Sequence, residues 1–377
     1  MSSQQIGVLG GGQLGLMLQR HGSTFDHKFI FLDSDSNCSV ARLFPGLYRN
    51  GNFRDVDSVK MFSDECDLLT VEIEDVSVAG LKKAEKMGVK VFPQASTLEL
   101  IQDKGLQKQM LVKLGVDTGA FELKENLTML TDDDLPLFIK SRRSGYDGQG
   151  VFFLKEKADI DKVFPGPYVC EKQVPIKKEL AIQIVRNESG KYQLFPPVEM
   201  VFDARRNILD ALLAPARDLS LKQIEQMQKS AIKIAEELNY VGILAIEFFL
   251  TTDDRLLVNE LSPRPHNSGH HTLHWSSRNQ FEMHVRAICN MPLPPIQSSG
   301  CALMINLLGD QDANGEADYS SLSDLLSIPN VYVELYAKSQ VRPFRKMGHV
   351  TIVGYSRAEL LKQREELRPY LVIRAKA

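Results

Sequence analysis

No Cys-x-x-Cys pair, no Walker-type G-x-x-x-x-G-K-[ST] loop and no run of about 18 apolar residues occurs in this 377-residue chain. The five cysteines, Cys38, Cys66, Cys170, Cys289 and Cys301, are scattered, which excludes a zinc ribbon and fits reduced thiols in a cytosolic protein. Lack of a long apolar run argues against a membrane-spanning helix. The start, MSSQQIGVLGGG, lacks the basic stretch and apolar run of a secretory signal, so a cytoplasmic location is expected. Charge is nearly balanced, with 45 basic against 48 acidic residues and a net charge of -3, so neither nucleic acid nor an anionic membrane is an expected partner. Internal repeats and low-complexity tracts are missing too. What is present is ordinary for a soluble globular protein, 43% hydrophobic and 25% charged, in a chain long enough for two or three domains.

The first segment reads as strand IGVLG, glycine turn, helix QLGLMLQRHG and strand FIFLDSD, the opening of a doubly wound α/β domain that ends near Pro93. Residues 96 to about 116 carry Leu98, Ile101, Leu106, Met110 and Leu114 at helical spacing and open a central domain. There LPLFIKSRR, GVFFLKE, YVCEKQV and ELAIQIVRN alternate like antiparallel strands, and LSLKQIEQMQKSAIKIAEELNYVG predicts a long amphipathic helix ending near Asn239. Past the proline-rich MPLPPIQSSG, the runs CALMINLLGD, VYVELYAK and MGHVTIVGYS predict a small β-rich unit. The fold class is α/β and α+β, with boundaries at 1–95, 96–292 and 293–377.

The most informative stretch is VGILAIEFFLTTDDRLLVNELSPRPHNSGHH. Val241 to Leu250 and Arg255 to Leu261 suit two strands, and Asp253-Asp254 suits a two-residue turn that sets Glu247 opposite Glu260. Opposed strand residues have Cβ atoms about 4.5 to 5.5 Å apart, and two carboxylates that close repel unless a cation or proton lies between them. A hard divalent ion such as Mg²⁺, completed by substrate phosphates, answers that need. A surface hairpin with solvated glutamates is the bland alternative, opposed by the apolar flanks.

Two glycine-rich segments point to phosphates. Gly10 to Gly15 fits G-x-G-x-x-G between strand and helix, with Asp33 closing the next strand. That pattern suits a dinucleotide, another phosphorylated ligand or a structural turn. Lys140 to Gly150, KSRRSGYDGQG, joins two apolar strands as a lid whose N–H groups and Lys140 could cover ATP phosphates. Glu171, Lys172, Gln173 and Val174, followed by Glu179, suit an adenine edge and ribose hydroxyls, although such charges usually mark a solvated face.

Together GGGQLG, SRRSGYDGQG, VGILAIEFF with LLVNELSPRPHNSGH, and RKMGHV resemble the ATP-grasp superfamily and, within it, the N5-carboxyaminoimidazole ribonucleotide synthetase family. The resemblance spans nearly the whole chain. It implies three domains: an N-terminal doubly wound domain, a central ATP-grasp domain and a small C-terminal domain, commonly paired as a homodimer. It further implies an ATP-dependent carbon–nitrogen ligase of purine biosynthesis. That enzyme joins bicarbonate to 5-aminoimidazole ribonucleotide through carboxyphosphate, with Mg²⁺ (Mn²⁺ as an alternative), without biotin, and with a separate mutase acting next. By motif, Glu247 and Glu260 bind the metal. Lys104, Lys140, Gly145, Tyr146, Asp147, Gly148, Gln149, Gly150, Val151, Glu171, Lys172, Gln173, Val174, Glu179, Asn259 and Glu260 surround ATP. Tyr146, Asp147, Arg264, His266 and Lys346 face the reacting centre, with Asp147 or His266 as the base for the amine proton. Gly12, Gln13, Leu14, Glu74, Asn267, Ser268, Lys338, Arg345 and Lys346 meet the substrate nucleotide.

The chain departs from the family pattern at Phe202, where a histidine is frequent, in the extra residues of VFDARRN, and at Ser144 before Gly145. His266, His270 and His274 are four apart, but Asn267-Ser268-Gly269 opposes a continuous helix that would make them a zinc site. Competing readings are a nicotinamide-dependent oxidoreductase built on GGGQLG and Asp33, a catalytically silent nucleotide binder, and a formate-dependent transformylase.

Overall fold

The strand Gln5–Leu9 is central in a five-stranded parallel sheet whose other members are Tyr48–Asn50, Lys28–Asp33, Leu68–Val71 and Lys90–Val91. The chain steps outward on one side of Gln5–Leu9 and then on the other. A crevice therefore opens at the carboxyl ends of Gln5–Leu9 and Leu68–Val71, the usual ligand position in such sheets. The glycine turn follows one of these strands, and Glu72 and Glu74 follow the other. The computed structural model describes residues 3–143, 150–203 and 208–376.

The predicted helix over 96–116 is two helices, Ala95–Gln102 and Lys104–Lys113. Asp103 breaks it, because its extended backbone turns the chain and its carboxylate accepts the Gly105 and Leu106 N–H groups. Beyond lies a four-stranded antiparallel sheet in the order Phe121–Lys124, Tyr168–Lys172, Leu137–Ser141, Val151–Leu154.

A 12-stranded sheet forms the largest layer. It starts at the hairpin Gly242–Thr251 and Leu256–Ser262 and runs through Ile176–Arg186, Val198–Asp203 and Ile208–Ala214. Ile208–Ala214 pairs with Cys301–Gly309, so main-chain bonding is continuous across the 292/293 boundary expected from the prolines. The long helix is Leu221–Glu237, opened by a Ser220/Gln223 capping box and stopped before Asn239, whose φ is 43°. Its buried Met227, Ala231, Ile234 and Ala235 pack on Leu180, Ile182, Leu244 and Ile246 of the large sheet. The small and large sheets approach each other where Lys140 meets Asn259, and the helix Lys104–Lys113 touches both, through Lys108 at Glu171 and Lys104 at Glu260; the space between them is the cleft.

Candidate active site

The hairpin pairs Glu247 with Glu260, but by a different path from the predicted two-residue turn. Leu250 opposes Leu256, and the Asp254 N–H donates to the Thr251 carbonyl at 3.0 Å with φ 61° at Asp254. The loop therefore has three residues, 252–254, and Asp254 takes the left-handed position of that loop type. This displaces the register by one. A β-bulge opposite Glu247 restores it, since Phe248 pairs with Val258 and Glu247 with Glu260. The bulge also sets which face each side chain takes. Leu256, Val258 and then Leu261 enter the core against Leu244, Ile246, Phe248 and Leu250. The spacing of two followed by three turns both Asn259 and Glu260 toward the cleft beside Glu247.

Cations converge on these acids. The Lys104 ammonium is hydrogen-bonded to Glu260. Burial alone would raise the Glu260 carboxyl, but Lys104 and then Lys140 hold it below the usual range, and the side chain keeps 43% exposure toward the cleft. Among the described residues Glu247 has no ammonium group hydrogen-bonded to it, although the charges of Lys104 and Lys346 act on it from a distance. Burial, then the charges of Glu260 and Glu179, push it up to about 8. Glu179 on the neighbouring strand is pushed up to about 7 by burial, with Lys140 opposing. Hard oxygen donors facing each other, with Glu247 driven toward protonation by burial first and by its acidic neighbours second, fit a divalent cation. Among the described residues no group of three or more His, Cys, Asp or Glu side chains has metal-site geometry, so substrate oxygens would supply the remaining positions. His266, His270 and His274 do not converge: the chain forms a short turn at Asn267–Gly269, and His270 bonds Gln280 at 2.8 Å.

On the small-sheet side Lys140 lies 3.1 Å from Glu171 and 3.3 Å from the Asn259 side-chain oxygen. Lys108, which the sequence reading passed over, lies 3.3 Å from the same Glu171 and is 3% exposed. Gly145, Tyr146, Asp147, Gly148 and Gln149 lie outside the described residues, as does Ser144. The described residues flanking that segment are fixed: the Ser141 N–H donates to the Gly150 carbonyl at 2.9 Å, and Val151 begins the returning strand. Arg142 and Arg143 both reach the Asp103 carboxylate, at 2.8 and 3.4 Å. Lys172 and Gln173 are exposed, the Lys172 N–H is used on the Ala120 carbonyl, and Val174 lies half-buried.

The glycine crevice departs from a dinucleotide site. The Asp33 carboxylate accepts the Gly11 N–H at 2.8 Å and is 9% exposed, so it is part of the turn's scaffold. Glu72 accepts the Gly12 N–H at 2.8 Å and the Gly15 N–H at 2.6 Å, filling donors that a pyrophosphate would need. A Cβ on Gly12 would come within 2.6 Å of Glu72, which accounts for glycine there. Gln13 accepts from Lys338 at 2.7 Å, which brings the C-terminal unit over Leu14 and the turn. Arg345 donates to the Gln340 carbonyl and feels the charge of Asp35 on the same rim. Glu74 takes Arg264 at 2.5 Å, and although burial opposes it, that guanidinium holds the Glu74 carboxyl below its ordinary value.

His266 stands between the two halves, 3.7 Å from Glu247. Burial, then Arg264 and Lys346, lower it to about 3, so it is neutral. Its Nδ1 accepts from the Ser268 backbone, which can only donate, leaving the proton on Nε2 toward Glu247. Neither ring nitrogen offers a lone pair to the cleft, which opposes His266 as the base. Ser268 is 1% exposed and bonds the His266 ring, and Asn267 turns inward to Asn306 at 3.2 Å. These two support the site from behind. Phe202 packs in a cluster with Trp275 and Met304, and residues 204–207 of the extra segment lie outside the described residues.

Three family models match successive parts of the chain. The ribonucleotide synthetase preATP-grasp domain matches residues 3–102, the ATP-grasp domain 109–281, and the phosphoribosylaminoimidazole carboxylase C-terminal domain 302–363. The N5-carboxyaminoimidazole ribonucleotide synthase of Bacillus subtilis is 34% identical over 95% of this chain and 93% of its own length. The N5-carboxyaminoimidazole ribonucleotide synthetase structure from Thermotoga maritima matches with TM-score 0.90 at 33% identity, covering 99% and 100% of the two chains. That of the Aspergillus clavatus synthase in complex with ADP and 5-aminoimidazole ribonucleotide matches at 0.86 and 28%, covering 98% of each. The chain spans 64–67% of the length of fungal and plant phosphoribosylaminoimidazole carboxylases that are 34–37% identical to it.

Proposed function

This chain belongs to the N5-carboxyaminoimidazole ribonucleotide synthase family of ATP-grasp ligases, and from that premise we propose that it carboxylates 5-aminoimidazole ribonucleotide with bicarbonate. ATP is converted to ADP and phosphate, with carboxyphosphate as the intermediate. The observation that carries the reading is the hairpin: two facing carboxylates, flanked by Lys104 and Lys140, open onto the crevice that holds Glu74 and Arg264.

In this proposal Glu247 and Glu260 hold Mg²⁺, which when bound neutralises charge on the transferring phosphate. Lys140 and Lys104 turn from their carboxylates onto the ATP phosphates, and Asn259 orients Lys140. Arg264 and Lys346 stabilise the oxygens of the activated carboxylate, a mainly electrostatic contribution. The remaining N–H groups of the glycine turn, at Gln13 and Leu14, with Lys338 and Arg345, take the single phosphate of the nucleotide, while Glu74 contacts its ribose or base. Neutral His266, held by Ser268, lies beside Glu247 at 3.7 Å and fills the space between the two halves of the site. That leaves Asp147 as the proposed base for the amine proton. The lid over 145–151 and the cleft between units 1–95, 96–292 and 293–377 protect carboxyphosphate from water. The proposal includes a cytoplasmic homodimer, no biotin, and a separate mutase acting next.

Phosphate release tests it. ATP with Mg²⁺ is expected to raise the melting temperature, and phosphate release is expected to require both aminoimidazole ribonucleotide and bicarbonate for its full rate. Release unchanged by either substrate would overturn the proposal, and stimulation by formate in place of bicarbonate would favour a transformylase. Stabilisation by NADH alone would restore the oxidoreductase reading, which the filling of the glycine turn by Asp33 and Glu72 opposes.

A further inference from the structure

Glu171 is a single buried carboxylate, 5% exposed, that receives two ammonium groups. Lys140 approaches from the cleft and keeps 17% side-chain exposure; Lys108 approaches from behind and keeps 3%. The helix Lys104–Lys113 sets this arrangement, since Lys104 and Lys108 are one turn apart and share a face. Lys104 reaches the large sheet at Glu260, and Lys108 reaches the small sheet at Glu171. Lys108 is fixed further by donating to the Thr118 hydroxyl at 2.9 Å, which in turn donates to the Val258 carbonyl at 2.7 Å, and by Phe121, whose ring centre is 5.7 Å away. Thr118 and Val258 form the bridge joining the segment before the small sheet to the metal-site hairpin. Lys108 therefore ties together the two walls of the cleft, at a place that an entering polyphosphate does not reach.

We propose that Lys108 is a positioning residue for nucleotide binding: by neutralising Glu171 from behind, it frees Lys140 to turn onto the ATP phosphates. The proposal rests on the ATP reading above. When Lys140 moves, Glu171 keeps a buried counter-ion only because Lys108 stays. Without Lys108, moving Lys140 would strand a carboxylate out of water, and Glu171 would hold Lys140 back. The net charge of the cluster also decides this, since two ammonium groups around one carboxylate leave one positive charge to offer to a phosphate.

Lys108→Met, which keeps length and removes charge, is expected to raise the ATP KM by about tenfold or more while kcat changes by less than about threefold. Lys108→Arg is expected to recover most of the loss, because charge rather than shape is needed. In a Glu171→Gln background, Lys108→Met is expected to raise the ATP KM no further, as the buried charge it compensates has gone. An ATP KM within about twofold of the parent for Lys108→Met, or effects that add in the double variant, would overturn the proposal. Should Lys108→Met alone fail to fold, comparison of the double variant with Glu171→Gln decides in the same way, since neither strands a charged carboxylate. The parent is followed alongside by its melting shift with Mg²⁺ and ATP. No shift in the parent removes the ATP reading itself, whereas a normal shift in the parent and an equal one in Lys108→Met removes only this role.

Discussion

Glu260→Gln is expected to lower kcat by about 100-fold or more, equivalent to about 2.7 kcal/mol of transition-state stabilisation, with the melting temperature nearly unchanged. The substitution keeps volume and hydrogen-bonding reach but removes one of two charges facing the metal position. Fold should survive because Glu260 lines the open cleft at 43% exposure, unlike its neighbours Val258 and Leu261 in the core. Loss of one of two carboxylates for the metal should also appear as weaker binding of ATP with Mg²⁺. Steady-state kinetics at saturating ATP, with a melting curve of the same preparation, check this. Activity within about twofold of the parent would remove Glu260 from the chemistry.

Three buried histidines are expected to take stability from the folded chain as the pH falls from about 6.5 towards 3. His271, His284 and His349 are 0–1% exposed, and burial lowers each to about 3. His284 shows the cause: its Nδ1 accepts the Ile243 N–H at 3.1 Å and its Nε2 bonds Thr70 at 2.8 Å, so protonation would set two N–H groups head to head. His349 bonds the Tyr336 hydroxyl at 2.9 Å and stacks on His270, where a second charge would repel. Unfolded histidine takes up a proton below about 6.5, so between that value and 3 the unfolded chain binds more protons. This stability is fully present above pH 6.5 and is lost as the pH falls. At pH 5 each group accounts for about 2 kcal/mol, and the three together for about 6 kcal/mol, close to the whole stability of many domains. The raised carboxyls of Glu247 and Glu179 act in the opposite sense over this range, so the test is a difference: between about pH 7.5 and about pH 5, His284→Gln should lose about 2 kcal/mol less stability to urea than the parent, and equal losses would contradict the assignment.

Much of the site was legible because strands advertise themselves by alternation and glycine turns by composition. The pairing of Glu247 with Glu260 came out as expected, yet through a three-residue loop and a compensating bulge, two shifts of one residue that cancel. The bulge left a trace in LLVNELS, where two polar residues stand together between apolar ones and break the period of two. Lys108 left none, since a lysine on a helix reads as solvated until a buried partner is known. Glu72 and Glu74 are two apart on one chain segment, and only tertiary contacts distinguish the acid that closes the glycine turn from the acid that takes Arg264. Asp103 divides a segment whose apolar spacing reads as one helix: its carboxylate caps the second helix and also takes Arg142, 39 residues away.

In the proposed reaction the carboxylate hairpin and the glycine crevice together fix bicarbonate onto an aminoimidazole amine, with one ATP consumed. Incubation with ¹³C-bicarbonate, ATP, Mg²⁺ and aminoimidazole ribonucleotide, followed by ¹³C NMR at mildly alkaline pH, reads this directly. The predicted result is a carbamate resonance on the exocyclic nitrogen, appearing in step with ADP and phosphate and absent from Glu260→Gln; ATP consumption with no labelled carbamate would contradict it.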